Sequence, residues 1–329
     1  MSKLKEKVYL SLADFQHNLH KSIHELKSIG VEITGRCNLQ CRHCYMRSSL
    51  SAKEDELKTD EWRMFFSEIR KDFGNNVGIR LTGGEIFLRE DIFELLEFLE
   101  EEGFVVSVVS NGLLINEENV KKISKLIAGI SISLDGFEES HNYLRGGNFY
   151  KKTLENIKLL KENKIIPSIK TAVFQKNINE LDDFYAFLKK MGIVQWQISP
   201  MELIGRANDN KGDMLSMSDY IRLCEFVDKL RLEGKMQLIF EEDSKINFFK
   251  KSSEVIKCKR CVAGITTFSV LYNGDITSCV QNQEKSDIMG NIRKDRMKEL
   301  WENSFGKNRQ KSYKFCDNHY FINKLNANI

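Results

Sequence analysis

Between residue 31 and residue 200, short β-branched runs alternate with segments whose apolar residues recur at helical spacing. The runs at 31–34, 78–82, 105–109, 129–134, 167–174 and 194–199 have the length and composition of strands. The segments at 59–73, 91–102, 116–126, 150–162 and 179–191 read as amphipathic helices with charged outer faces. Repeated βα units predict a parallel sheet, and six of them fit a partial (β/α)6 TIM-like barrel better than an eight-fold one. In such α/β folds the loops at the carboxyl ends of the strands bind ligands.

The flanks follow other patterns. Ser11 and Asp14 mark a capping-box start, and Phe15, Leu19, Ile23 and Leu26 then recur at helical spacing up to Gly30. Residues 1–29 are therefore expected as a helix covering one end of a barrel formed by 30–207. The polar stretch Asn208-Asp209-Asn210-Lys211-Gly212-Asp213 reads as a linker, and with the helix near 218–232 it makes a bridging region over 208–253. Cys224 lies on the apolar face of that helix with Ile221 and Val227 and reads as a core residue. Residues 254–329 are expected as a small α+β domain, with a hairpin over 266–279 turned at Asn273-Gly274.

With 329 residues, the chain is long enough to bury a substantial core beside a small appended domain. Its net charge of +3 is near balance and gives no electrostatic pull toward nucleic acid or a membrane surface. No apolar run approaches the roughly 20 residues of a membrane span, and the first residues lack a signal-peptide core. A cytoplasmic location is expected. There, eight cysteines read as metal ligands rather than disulfides.

The densest chemistry lies in Gly35-Arg36-Cys37-Asn38-Leu39-Gln40-Cys41-Arg42-His43-Cys44-Tyr45. Three thiols at Cys-x3-Cys-x2-Cys spacing are one short of the closed shell of structural zinc, but they suit an iron-sulfur cubane with one iron left open. A zinc knuckle completed by His43 or a distant cysteine is the alternative. Cys37, Cys41 and Cys44 resemble the signature of the radical S-adenosylmethionine (radical SAM) enzymes, where the residue before the third cysteine, here His43, is usually aromatic. That resemblance implies a [4Fe-4S] cluster whose open iron takes S-adenosylmethionine. It also implies reductive cleavage to a 5'-deoxyadenosyl radical, fed by an electron donor of flavodoxin or ferredoxin type.

Further motifs follow at strand ends. Gly83-Gly84-Glu85 resembles the family's Gly-Gly-Glu motif, which binds the methionine ammonium; Ile86 stands where the family usually has proline. The two glycines permit close backbone approach to a ligand. Ser110-Asn111 and Ser133 with Asp135 place hydroxyls, an amide and a carboxylate where they suit the cofactor's ribose and methionine groups, though Asn-Gly and Asp-Gly are also turn formers. The stretch Ser140–Gly147 resembles peptide-modifying members of the family. Within it Arg145 can pair with the cofactor carboxylate, and His141 is a substrate contact or a hydrogen-bonded structural residue.

Cys258, Cys261, Cys279 and Cys316 form a second thiol set, able to hold zinc or another cluster. Gly205-Arg206-Ala207, the spacing of Cys261, Gly274 and Cys279, and Leu300-Trp301 resemble family members with a C-terminal SPASM or twitch domain. The further cysteines of a full domain are missing, so one auxiliary iron-sulfur cluster is expected, with His319 able to replace Cys316. The resemblance implies an oxidoreductase acting on a peptide or protein side chain. A small molecule such as a tetrapyrrole or cofactor precursor is the alternative substrate, and a non-catalytic metal-binding protein is a further alternative.

Overall fold

A computed structural model describes residues 25–51, 55–240, 262–281 and 284–305, with the backbone of 246–247 and 256–257. The chain runs β1 (Ser28–Thr34), α1 (Thr59–Phe73), β2 (Gly78–Gly83), α2 (Ile92–Glu101), β3 (Val106–Ser110), α3 (Glu117–Leu126) and β4 (Gly129–Ser133). It continues through α4 (Glu138–Arg145), α5 (Tyr150–Glu162), β5 (Ser168–Val173), α6 (Leu181–Lys190), β6 (Gln195–Pro200), α7 (Met217–Glu233) and β7 (Gln237–Phe240). Strands β1 to β7 are consecutive parallel neighbours, as βα repetition requires.

Four features differ from the sequence pattern. First, strand β1 begins at Ser28, so the N-terminal helix does not reach Gly30; its expected start lies outside the described residues. Second, a seventh parallel strand, β7, follows the bridging helix and pairs with β6. Its run Gln-Leu-Ile-Phe is only four residues long and lacks the period-2 alternation that marks a half-buried strand. Third, α4 occupies the stretch singled out for its polar residues. Fourth, the 208–213 stretch is part of a 3-10 segment, Gly205–Asp213, docked on the cysteine loop. Arg47 makes a two-pronged pair with Asp209 at 2.6 and 2.9 Å, and Arg42 Nε donates to Asp213 at 2.7 Å. A polar composition signals lack of core contact, and here the polar groups are spent on the loop instead.

The C-terminal part continues the same sheet. After a separate antiparallel pair, β8 (Ile246–Asn247) with β9 (Ile256–Lys257), come β10 (Thr267–Val270), β11 (Asp275–Thr277), β12 (Ile288–Asn291) and the one-turn α8 (Met297–Glu299). Strand β10 lies parallel to β1, with Ser28 opposite Thr267 and Val31 opposite Val270. The sheet therefore has ten strands in the order β12-β11-β10-β1-β2-β3-β4-β5-β6-β7. Trp301 and Phe305 pack tilted against Phe268 at centroid distances of 5.8 and 5.9 Å and join the main hydrophobic core.

Alternation along the strands divides the two faces of the sheet. Ile29, Val31 and Ile33, Val106 and Val108, Ile130 and Ile132, and Trp196 and Ile198 pack into one core with the helices. The intervening positions carry Glu32 and Thr34, Ser107, Ser131 and Ser133, Ser168 and Lys170, and Gln197 and Ser199. A closed eight-stranded barrel fills its interior with branched apolar side chains. This one has a polar interior. Among the described residues, no helix is long and apolar enough to cross a membrane.

Candidate active site

The loop after β1 holds Cys37, Cys41 and Cys44 in contact through Leu39, with Leu113 and Phe149 packed against them. Each sulfur faces an N–H donor. Leu39 N–H points to Cys37 Sγ at 3.4 Å, Arg145 Nη1 to Cys41 Sγ at 3.7 Å and Ser48 N–H to Cys44 Sγ at 3.4 Å. Burial pushes the Cys37 thiol up to about 12 and raises that of Cys41 as well. Without a cationic centre both stay protonated, so thiolates form here only around bound metal. Among the described residues no three His, Cys, Asp or Glu side chains converge on one ion position. A zinc knuckle needs four ligands on one ion, whereas a cubane needs one thiolate per iron. Three buried thiols aimed at by N–H donors fit such a cluster, since hydrogen bonds to the sulfurs are among the features that tune it.

Glycines set the approach of β2 to this loop. Gly83 has φ of +139°, and a side chain on Gly83 or Gly84 would fall on the carbonyls of Thr34 and Arg36. Gly84 N–H donates to Thr34 O at 2.8 Å and Glu85 N–H to Arg36 O at 2.7 Å. The two glycines therefore let the turn after β2 seat directly on the backbone of the cysteine loop.

Glu85 is wholly buried. Its carboxylate accepts from Ser110 Oγ at 2.8 Å, Asn111 N–H at 2.8 Å and Phe87 N–H at 3.3 Å, which ties the end of β3 to the turn after β2. Asn111 Nδ2 in turn donates to Asn38 Oδ1 at 2.7 Å, reaching back to the cysteine loop. Burial raises the Glu85 carboxyl from 4.5 to about 7, against the pull of these donors. The folded chain thus binds a proton here more tightly than the unfolded one. Its contribution to stability is full below pH 4.5 and is lost as pH rises to about 7. Between those limits, E85Q should flatten the fall of unfolding free energy with pH by roughly 3 kcal/mol relative to wild type in urea titrations of the metal-free chain. Equal slopes for the two proteins would remove this account.

A second acid, Asp135 just after β4, is also wholly buried. Asp135 accepts from Arg145 Nε at 2.6 Å and Ala172 N–H at 2.9 Å. Burial opposes its charge, but the Arg145 guanidinium prevails and holds the carboxyl below its ordinary value. Arg145 thereby bridges the end of β4 to Cys41. Ser133, one turn of the pleat before Asp135, is buried on the interior face of β4. His141 Nδ1 accepts from Asp135 N–H at 3.2 Å, which leaves the proton on Nε2, a buried atom with no hydrogen-bond partner. Burial lowers both His141 and His43 to about 4, so both rings are neutral at neutral pH. His43 Nδ1 is also buried and without a hydrogen-bond partner.

Residues outside the motifs complete the site. Tyr45 enters the barrel interior and bonds to Glu32 of β1; burial and that carboxylate raise its hydroxyl well above the ordinary range, and Cys44 and Cys279 add to the shift. The signal for Glu32 is present in the sequence, as one acid between Val31 and Ile33. Asn38 carries no such signal. Cys279, half-buried just after β11, is the described member of the second thiol set, while Cys258, Cys261, Cys316 and His319 lie outside the described residues.

Residues 31–190 match the Radical SAM superfamily model and residues 258–319 match SPASM, an iron-sulfur cluster-binding domain. The AdoMet-dependent heme synthase of Methanosarcina barkeri (strain Fusaro) is 29% identical over 84% of this chain and 82% of its own. The antilisterial bacteriocin subtilosin biosynthesis protein AlbA of Bacillus subtilis (strain 168) is 32% identical over 54% of this chain, which spans 40% of AlbA's length. Among solved structures, native anSMEcpe with bound AdoMet superposes with a TM-score of 0.70 at 24% identity, covering 88% of this chain and 84% of that one, a likeness of fold. The chain is a radical SAM enzyme with a C-terminal SPASM domain, using a [4Fe-4S] cluster, S-adenosylmethionine and auxiliary iron-sulfur chemistry.

Proposed function

We propose that the enzyme acts on a peptide or protein side chain, by crosslinking, epimerisation or side-chain oxidation. The observation that carries this reading is the polar barrel interior. Ser131 and Ser168 share a hydrogen bond of 2.7 Å, and Gln197 Nε2 donates to both, at 3.0 and 3.3 Å. The two serine hydroxyls and the Gln197 amide thus form one hydrogen-bonded polar group on the interior face of the sheet. An interior lined by hydroxyls and an amide matches the donors and acceptors of a peptide better than an apolar macrocycle, which needs an apolar slot.

When bound, the cluster and S-adenosylmethionine supply a radical that removes hydrogen from the substrate. The chain's share is placement. In this reading Cys37, Cys41 and Cys44 hold the core cluster, and Cys258, Cys261, Cys279 and Cys316 the auxiliary one. His43, Gly83, Gly84, Glu85, Ser110, Asn111, Ser133, Asp135 and Arg145 surround S-adenosylmethionine. A cytoplasmic flavodoxin or ferredoxin supplies electrons. AlbA, named for subtilosin biosynthesis, supports the peptide reading.

A tetrapyrrole is the second reading, favoured by the nearly full-length match to a heme synthase. Reconstituted enzyme given S-adenosylmethionine and reductant should modify a synthetic peptide encoded beside its gene, with a mass change and 5'-deoxyadenosine above the substrate-free level. Turnover of an iron porphyrin with propionate side chains, and not of the peptide, would overturn the peptide reading.

A further inference from the structure

Three carbonyls of the cysteine loop are held by one residue of another segment. Within the loop, the turn bonds Cys44 N–H to Cys41 O at 3.2 Å and Arg47 N–H to Cys44 O at 3.4 Å are long. Gly205, at φ of +59°, lies against the carbonyls of Tyr45 and Cys44, where any side chain would collide. That contact lets Arg206 N–H donate to Cys44 O at 2.8 Å. The Arg206 guanidinium then donates from Nη1 to Cys41 O at 2.8 Å and from Nη2 to Ser48 O at 2.7 Å. Asn210 Nδ2 braces the arrangement, donating to Arg206 O and Arg42 O at 3.0 Å each.

We propose that Arg206 is a positioning residue for the core cluster, fixing the span from Cys41 to Ser48 so that Cys41 and Cys44 keep one mutual orientation. The proposal rests on the reading of Cys37, Cys41 and Cys44 as cluster ligands. A guanidinium is a rigid planar fork and can bridge two carbonyls in fixed geometry, whereas an ammonium on a flexible stem cannot. Its positive charge lies beside a loop that gathers thiolate charge on metal binding. Loss of that charge should make the bound cluster harder to reduce.

The test uses the full chain reconstituted without oxygen. R206K and R206Q should keep the far-ultraviolet circular dichroism of the metal-free wild type. Each should retain less than half of the paramagnetic signal that responds to S-adenosylmethionine after reduction, with R206Q also shifted to a more negative potential. R47A, which breaks only the exposed pair with Asp209, should load as wild type. R206K with wild-type loading and an unchanged spectrum would overturn the proposal. If the Arg206 variants fail to fold, hydrogen exchange of wild type decides: on cluster loading, amides in 41–48 and 205–213 should gain protection together, and protection confined to 41–48 sinks the idea. A wild type that takes up no cluster responsive to S-adenosylmethionine removes the reading of the loop itself.

Discussion

Reconstituted under nitrogen, the wild-type chain should hold about eight irons, and the variant with Cys37, Cys41 and Cys44 all changed to alanine about four. The same variant should lose reductive cleavage of S-adenosylmethionine by at least about a thousandfold, because the cofactor pair carries the difficult chemistry and the protein cannot substitute for it. Leu39 and Ser48 of the loop and Arg145 of α4 each point an N–H at one sulfur, and Gly84 and Glu85 anchor the backbone before the loop, so the lesion removes the ligands while leaving that anchor in place. Iron and sulfide analysis, with 5'-deoxyadenosine measured by chromatography, checks both parts. A wild type with about four irons that the variant lacks would make the C-terminal thiols zinc ligands or structural groups. Four irons in both proteins would place the only cluster in the SPASM part.

Asp135→Ala should lower the unfolding free energy of the metal-free chain by about 3 to 5 kcal/mol. Asp135 is fully buried and accepts a hydrogen bond from Arg145 Nε at 2.6 Å, so its removal leaves a guanidinium with only 8% of its residue surface exposed and without its paired carboxylate. The Ala172 N–H loses its acceptor as well. Removing both partners tests the cause. Asp135→Ala with Arg145→Met should recover part of the loss, since the cost lies in the stranded charge rather than in the missing bond. Urea unfolding followed by circular dichroism measures this. An Asp135→Ala protein within about 1 kcal/mol of wild type would show that water reaches Arg145 and screens it.

Much of this architecture is legible along the chain because it depends on local pattern. The β-branched runs and amphipathic segments of the core become strands and helices with ends displaced by only a few residues, since each element buries one face against the same core. The thiol spacing and Gly-Gly-Glu are legible for a similar reason: a loop of fixed reach must place those groups together. What failed were readings that needed a partner distant in sequence. β7 is a strand because β6 offers it a ladder, and the 208–213 stretch is ordered because Arg42 meets the Asp213 carboxylate and the Arg42 carbonyl accepts from Asn210. Neither partner can be inferred from composition.

The sequence by itself determined the chemistry: three cysteines in one loop, an acid after two glycines, and short polar groups at successive strand ends. Spacing along a chain limits which atoms can meet, and those groups are close enough in sequence, or repeated regularly enough, for that limit to be informative. Only the tertiary structure decided what those groups do to one another. It turned the two glycines toward the cysteine-loop backbone, committed Glu85 to Ser110 and Asn111, joined Arg145 to both Asp135 and Cys41, and seated the C-terminal hairpin on β1. Those pairings cross between 10 and more than 200 residues of chain, and they form because burial leaves each charged or polar group without water and dependent on protein partners.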